Sequence, residues 1–200
     1  LYCMGIKNQI VTDKTPLIKL NLVNDAIGKI NELSIQMKLA KSPENLIPDH
    51  KSLNSSLQSS YGINYIAPYS VKDSQIESES VDCVTSTNTL EHIPENTISQ
   101  ILKDCWRILK PNGIIISNIN YKDHYAAFDK SISDYNFLKY PEIYWKVVNS
   151  NKFDYQNRLR HMDYVRILEK SGFTFLEEQV VEGSVSDLDI IRKLTPTARF

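Results

Sequence analysis

The stretch 94–116 constrains the fold more than any other part of the sequence. Ile98, Ile101, Leu102, Cys105, Trp106 and Leu109 recur at three-four spacing, which lays one continuous apolar stripe along a helix. Lys110-Pro111-Asn112-Gly113 then stops it with a basic last turn, a helix breaker and a pair that tolerates left-handed backbone. Residues 114–116 follow as a β-branched Ile-Ile-Ile run without polar alternation, the pattern of a strand covered on both faces. A helix delivered straight into such a strand predicts a parallel sheet between helix layers.

The rest of the chain extends that alternation. Residues 9–12, Gln-Ile-Val-Thr, read as a strand ended by Asp13, and Leu20, Val23, Ile27 and Ile30 share one face of a helix that starts near Thr15. Residues 63–67 and 81–84 read as further strands, 161–170 as a helix capped by Gly172, and 173–181 as another strand. The Ser-, Asn- and Pro-rich stretch 41–60 reads as a surface excursion or a poorly ordered loop with one weak helical turn, and 188–200 as a mixed helical, Pro-broken tail. Residues 121–155 crowd together tyrosines, Phe128, Phe137, Phe153 and Trp145 without a period, which predicts short helices forming a lid-like insertion over a site. The predicted class is α/β with a mostly parallel sheet, and residues 1–200 read as a single domain.

Composition enters by exclusion. A net charge of -1 without single-sign blocks gives no electrostatic footprint for nucleic acid or an anionic membrane. No apolar run approaches the roughly 20 residues that span a bilayer, and no leader pattern opens the chain, so the expected address is cytoplasmic. Cys3, Cys83 and Cys105 lack disulfide or zinc spacing and read as small buried hydrophobes, with no metal expected. The first residue is Leu1, which reads as a trimmed N-terminus.

Ser80-Val-Asp-Cys-Val-Thr-Ser86, Leu90-Glu91-His92-Ile93 and Arg107-Ile-Leu-Lys-Pro-Asn-Gly113 together resemble the post-cofactor half of class I S-adenosylmethionine-dependent methyltransferases. Residues 5–13 resemble the end of that family's first helix and its second strand, and 158–173 its later helix. The resemblance implies a Rossmann-like three-layer sandwich and S-adenosylmethionine as cofactor. It implies that Asp13 accepts from the ribose hydroxyls, since an ionised carboxylate can take both at once; the alternative is that Asp13 caps the following helix. Ser86, Thr87 and Asn88 would lie beneath the methionine portion, and His92 would line the cofactor or pack structurally. Where relatives carry an acid for the adenine amino group this chain has Ala67-Pro68-Tyr69, which leaves Tyr69 or a backbone group for that task.

Residues following the fifth family strand often face the methyl acceptor. Tyr121, Asp123 and His124 stand there, and an Asp-oriented imidazole would deprotonate a hydroxyl, against the alternative of a surface or capping pair. Arg158 and Arg160 offer guanidinium forks for an anionic group on the acceptor, against the alternative of a solvated helix start. The expected reaction is methyl transfer to a small molecule, such as a hydroxyl of a sugar or other cell-surface precursor, by a protein for which a homodimer stays open.

One family element is not found. Gly5, Gly28, Gly62, Gly113, Gly172 and Gly183 are widely separated, so no Gly-x-Gly loop exists in these residues, and neither the family's first strand nor its last can be identified. A non-catalytic, methyltransferase-like remnant acting as a binding or assembly module is therefore the rival reading. A nucleotide-dependent dehydrogenase has less support, because its glycine fingerprint is equally absent.

Overall fold

A computed structural model describes residues 1–43, 53–148 and 155–183. They divide into two compact units, Leu1–Ser74 and Gln75–Phe200. The expected tail 188–200 lies outside the described residues.

In the first unit β1 (Gln9–Thr12) pairs in parallel with β2 (Ile63–Ile66), in the register Gln9 opposite Ile63 to Thr12 opposite Ile66. Between them come α1 (Leu20–Met37) and α2 (Leu53–Tyr61). Leu20 and Ile27 of α1 meet Leu57 and Tyr61 of α2 and Tyr65 of β2 in one buried cluster, with Val23 and Ile63 packed against it. Each such side chain removed from water contributes roughly 1.5–3 kcal/mol. Gly62 joins α2 to β2 with φ +64°, its N–H on the Gln58 carbonyl and its own carbonyl accepting from Gln9.

In the second unit β3 (Val81–Thr87) pairs in parallel with β4 (Leu109–Asn118), and α3 (Glu95–Ile108) connects them. A register irregularity between Val81 and Cys83 sits opposite the Lys110 to Gly113 turn, where Asn112 has φ +65°. The left-handed backbone expected of that tetrapeptide is thus present. Ile98 and Leu102 of α3 pack with Leu90, Leu159, and Tyr164 and Ile167 of α5 (His161–Lys170). Residues 121–148 fold as short 3-10 turns at His124–Ala127 and Asn136–Lys139 and the helix α4 (Glu142–Val148), around their own small core of Phe137, Leu138 and Trp145.

Several expectations change. α1 starts at Leu20, not near Thr15, because Pro16 disfavours helical backbone at the residue before it and Lys19 is still extended at ψ 138°. Residues 53–61 form a helix where an excursion was expected; Leu53, Leu57 and Tyr61 recur every four residues and face the core. Residues 173–181 contain no strand: no partner offers a ladder among the described residues, and Leu176 and Val181 are exposed. The run 114–116 is covered on one face only, since Ile115 packs inward while Ile114 and Ile116 are 40% and 55% exposed. Cys105 is buried, its thiol pushed up to about 11 by desolvation and by Asp104, whereas Cys83 is exposed. The α/β class stands, as two parallel ladders of two strands each among the described residues.

Gly62 yields the sharpest test of this fold. A Cβ there would sit 1.8 Å from the Lys7 carbonyl oxygen, in backbone that side chains rarely adopt. Gly62→Ala is expected to lower stability by about 2 kcal/mol or more, read as a shift in urea midpoint at unchanged slope; a change below about 0.5 kcal/mol would contradict this account of the turn.

Candidate functional site

Parallel strands direct their carboxyl ends to one edge, where open α/β sheets bind ligands. In the first unit that edge carries Asp13 directly after β1. Its N–H donates to the Ile66 carbonyl at 3.1 Å and its carbonyl accepts from Tyr69 N–H at 2.8 Å. Its Oδ2 accepts the Tyr65 hydroxyl at 3.2 Å, while Oδ1 receives no hydrogen bond among the described residues. Asp13 therefore does not cap α1, whose N-cap is Lys19. The Tyr69 hydroxyl donates to Ser74 Oγ at 2.8 Å, and the Tyr69 ring follows the cis Ala67-Pro68 bond.

In the second unit the edge is formed by the ends of β3 and β4. Ser86 pairs with Ser117 and Thr87 with Asn118. Asn88, at φ +48°, donates its N–H to the Asn118 carbonyl at 2.9 Å. Ser117 Oγ is buried without a hydrogen-bond partner among the described residues. The chain then turns through a 3-10 segment, Leu90–His92. Leu90 is buried in the core, which pulls Glu91 to 2% exposure. Glu91 Oε1 accepts from Asn120 N–H at 3.2 Å, but Oε2 has no hydrogen-bond partner among the described residues. His92 Nδ1 lies 3.0 Å from the Tyr155 carbonyl, and the His92 and His124 rings stand 4.8 Å apart at 50°.

A buried amide holds this turn in position. Asn157 Nδ2 donates to the Leu90 and Ile93 carbonyls, both at 2.8 Å, and its Oδ1 accepts from Leu159 N–H and the Tyr164 hydroxyl, both at 3.1 Å. Its own N–H donates to the Glu91 carbonyl at 2.7 Å. Burial raises the Tyr164 hydroxyl pKa, so this phenol stays a donor.

The predicted acceptor residues divide into two groups. Asp123 is buried and spent: Oδ1 takes Tyr125 N–H at 2.9 Å at the start of the 3-10 turn, and Oδ2 takes Asn136 Nδ2 at 3.2 Å. It forms no hydrogen bond to the His124 ring among the described residues, so the capping reading holds and the orienting one does not. The carboxylate near that ring belongs to Glu91. Arg158 is likewise committed, buried against Trp145 with its guanidinium on the Phe137 and Tyr140 carbonyls and on Glu142. Neither an anion-binding fork nor a solvated helix start describes it. Arg160 and Tyr121 remain half-buried together: Arg160 donates to the Tyr121 carbonyl at 2.7 Å and lies over the Tyr121 and Tyr135 rings. Desolvation lowers the Arg160 pKa and raises that of Tyr121.

Sequence reading assigned no role to Glu91, Gln156 or Asn157. The available signal for Glu91 was a lone acid between two core residues, Leu90 and Ile93. Nothing local marked Gln156, whose Oε1 accepts from His124 N–H at 3.2 Å.

Residues 48–117 match the family model described as a methyltransferase domain. That stretch is about a third of the chain, and what it is similar to is a methyltransferase domain. The match takes in α2, β2, β3, the Leu90–His92 turn and α3 and runs into β4, and it leaves Asp13, His124 and Arg160 outside it. No curated protein and no solved structure matches the chain.

Replacing Asn157 by Leu removes the amide that carries the Leu90–His92 turn and takes a hydrogen bond from four polar groups, the Leu90 and Ile93 carbonyls, the Leu159 N–H and the Tyr164 hydroxyl. The expected loss is about 3 kcal/mol in urea unfolding. A loss under about 1 kcal/mol would mean that the turn is held by apolar packing alone.

Proposed function

We propose that this protein transfers a methyl group from S-adenosylmethionine to a hydroxyl of a small-molecule acceptor in the cytoplasm. The observation that carries the reading is the methyltransferase-domain match, which falls on α2, β2, β3, α3 and most of β4 and includes the turn after β3 that holds Asn88, Glu91 and His92. S-adenosylmethionine supplies an electrophilic methyl on a sulfonium.

The residues fit the adenosine end of that cofactor. Asp13 keeps Oδ1 unpaired at a strand end, and the Tyr65 hydroxyl holds its other oxygen, which fixes the carboxylate for a ribose diol. In the first unit Tyr69 and the backbone around it would meet adenine; in the second, taken by itself, Ser86, Thr87 and Asn88 follow the family pattern for the methionine portion. No Gly-x-Gly loop among these residues offers amides to the carboxylate.

The acceptor would meet Tyr121, Arg160 and His124. His124 would take the hydroxyl proton as the oxygen attacks the methyl, with Glu91, not Asp123, as the nearby carboxylate. Orientation supplies most of the acceleration in such a transfer. Aromatic faces from Tyr121 and Tyr135 beside Arg160 support a sugar or other cell-surface precursor as the hydroxyl donor. A non-catalytic binding module is the second reading, favoured by the glycine spacing.

Calorimetric titration with S-adenosylmethionine distinguishes the two. Saturable binding is expected, weakened about 10- to 100-fold in Asp13→Ala and by a smaller factor in Tyr65→Phe, since a hydrogen bond to a charged group contributes roughly 1.5–3 kcal/mol. No heat of binding from the folded chain would leave the module reading in possession.

A further inference from the structure

We propose that Glu91, His92 and His124 form a binding site for one divalent transition-metal ion, with zinc, cobalt or nickel as the fitting class. One ligand atom from each lies within 4.8 Å of the others, although His124 comes from a different segment of the chain. The chain's histidines and acids show no ligand spacing in sequence, so the convergence is produced by the fold.

Two independent features support a ligand here. Glu91 is buried to 2% exposure, and its Oε2 accepts no hydrogen bond. A buried carboxylate oxygen without a donor is costly, and a cation is the partner that satisfies it best. His92 supplies the second. Its Nδ1 faces the Tyr155 carbonyl at 3.0 Å, and a carbonyl can only accept, so the proton sits on Nδ1 and the lone pair on Nε2. That arrangement, one imidazole nitrogen donating to a backbone carbonyl, is how a metal-bound histidine is fixed in tautomer and orientation.

His124 is positioned through its backbone, whose N–H donates to Gln156 Oε1. Two imidazoles and one carboxylate form the donor set of open zinc sites, which keep a position for water or another oxygen ligand. The nitrogens disfavour magnesium and calcium. Bonds of about 2.0–2.2 Å require donor atoms to approach more closely than 4.8 Å. His92 is exposed and His124 half-buried, so their rings have room to turn, while Glu91 is held by the core.

The site does not depend on the methyl-transfer reading. A cation bound there would occupy the His124 nitrogen and acidify an oxygen ligand in the open position, replacing a free imidazole as the means of removing a hydroxyl proton.

The test is titration of the full chain, stripped with chelator and free of S-adenosylmethionine, with Zn2+ by calorimetry and with Co2+ by visible absorption. One ion per chain is expected, with affinity reduced at least about tenfold in Glu91→Gln and in His124→Asn. His161→Gln and Cys83→Ser, which alter a histidine bonded to Glu178 and an exposed thiol, should leave binding unchanged. Circular dichroism identifies any variant that fails to fold, and if Glu91→Gln does so, His124→Asn decides. Absence of saturable binding in the unmodified chain, or equal affinity in the folded cluster variants, would overturn the site without touching methyl transfer.

Discussion

The second unit hangs on the Asn157 side chain. The Leu90 carbonyl accepts from Ile93 N–H within the 3-10 turn, and the Asn157 amide donates to it a second time and to the Ile93 carbonyl as well. One amide satisfies both while its oxygen accepts from Leu159 and Tyr164. The exchange fixes the turn after β3 to the segment entering α5, and it thereby sets the position of Glu91 and His92. Buried polar networks of this kind specify one arrangement, because every alternative strands a donor or an acceptor.

That fixed turn makes the position of Glu91 intelligible. The apolar flanks Leu90 and Ile93 go inward and carry the acid between them out of solvent. Asn120 satisfies one oxygen, the other accepts no hydrogen bond among the described residues, and a carboxylate oxygen lies within 4.8 Å of a ring nitrogen of His92 and of His124. A carboxylate held this way contributes little to folding and much to binding a positive or proton-donating group. The aromatic insertion beyond it is stabilised separately: Arg158 ties the Phe137 and Tyr140 carbonyls to Glu142 over the Trp145 ring. A guanidinium buried for that purpose is not available to an acceptor.

The strand ends repeat one theme in both units. β1 and β3 finish in polar residues whose backbone groups are taken by the neighbouring parallel strand, as in Asp13 to Ile66 and Asn88 to Asn118. The side chains are thereby left for other partners, and Asp13 retains an unpaired oxygen. The methyltransferase-domain match spans the β2 to β4 part of this arrangement.

Sequence by itself determined the periodic elements. α3, the run 114–116 inside β4 and α5 were legible because their apolar spacing reports local geometry, whereas Lys110 to Gly113 lies within β4, which starts at Leu109 directly after α3. The family motifs around Ser86, Glu91 and Gly113 were legible for the same reason, being contiguous. Only the tertiary structure decided that 173–181 has no strand partner, that Arg158 is buried, that Asp123 caps a turn, and that Glu91 faces His124. Each of these depends on which distant residue comes to lie opposite, and burial and pairing of a polar group are properties of that neighbour, which no local pattern encodes.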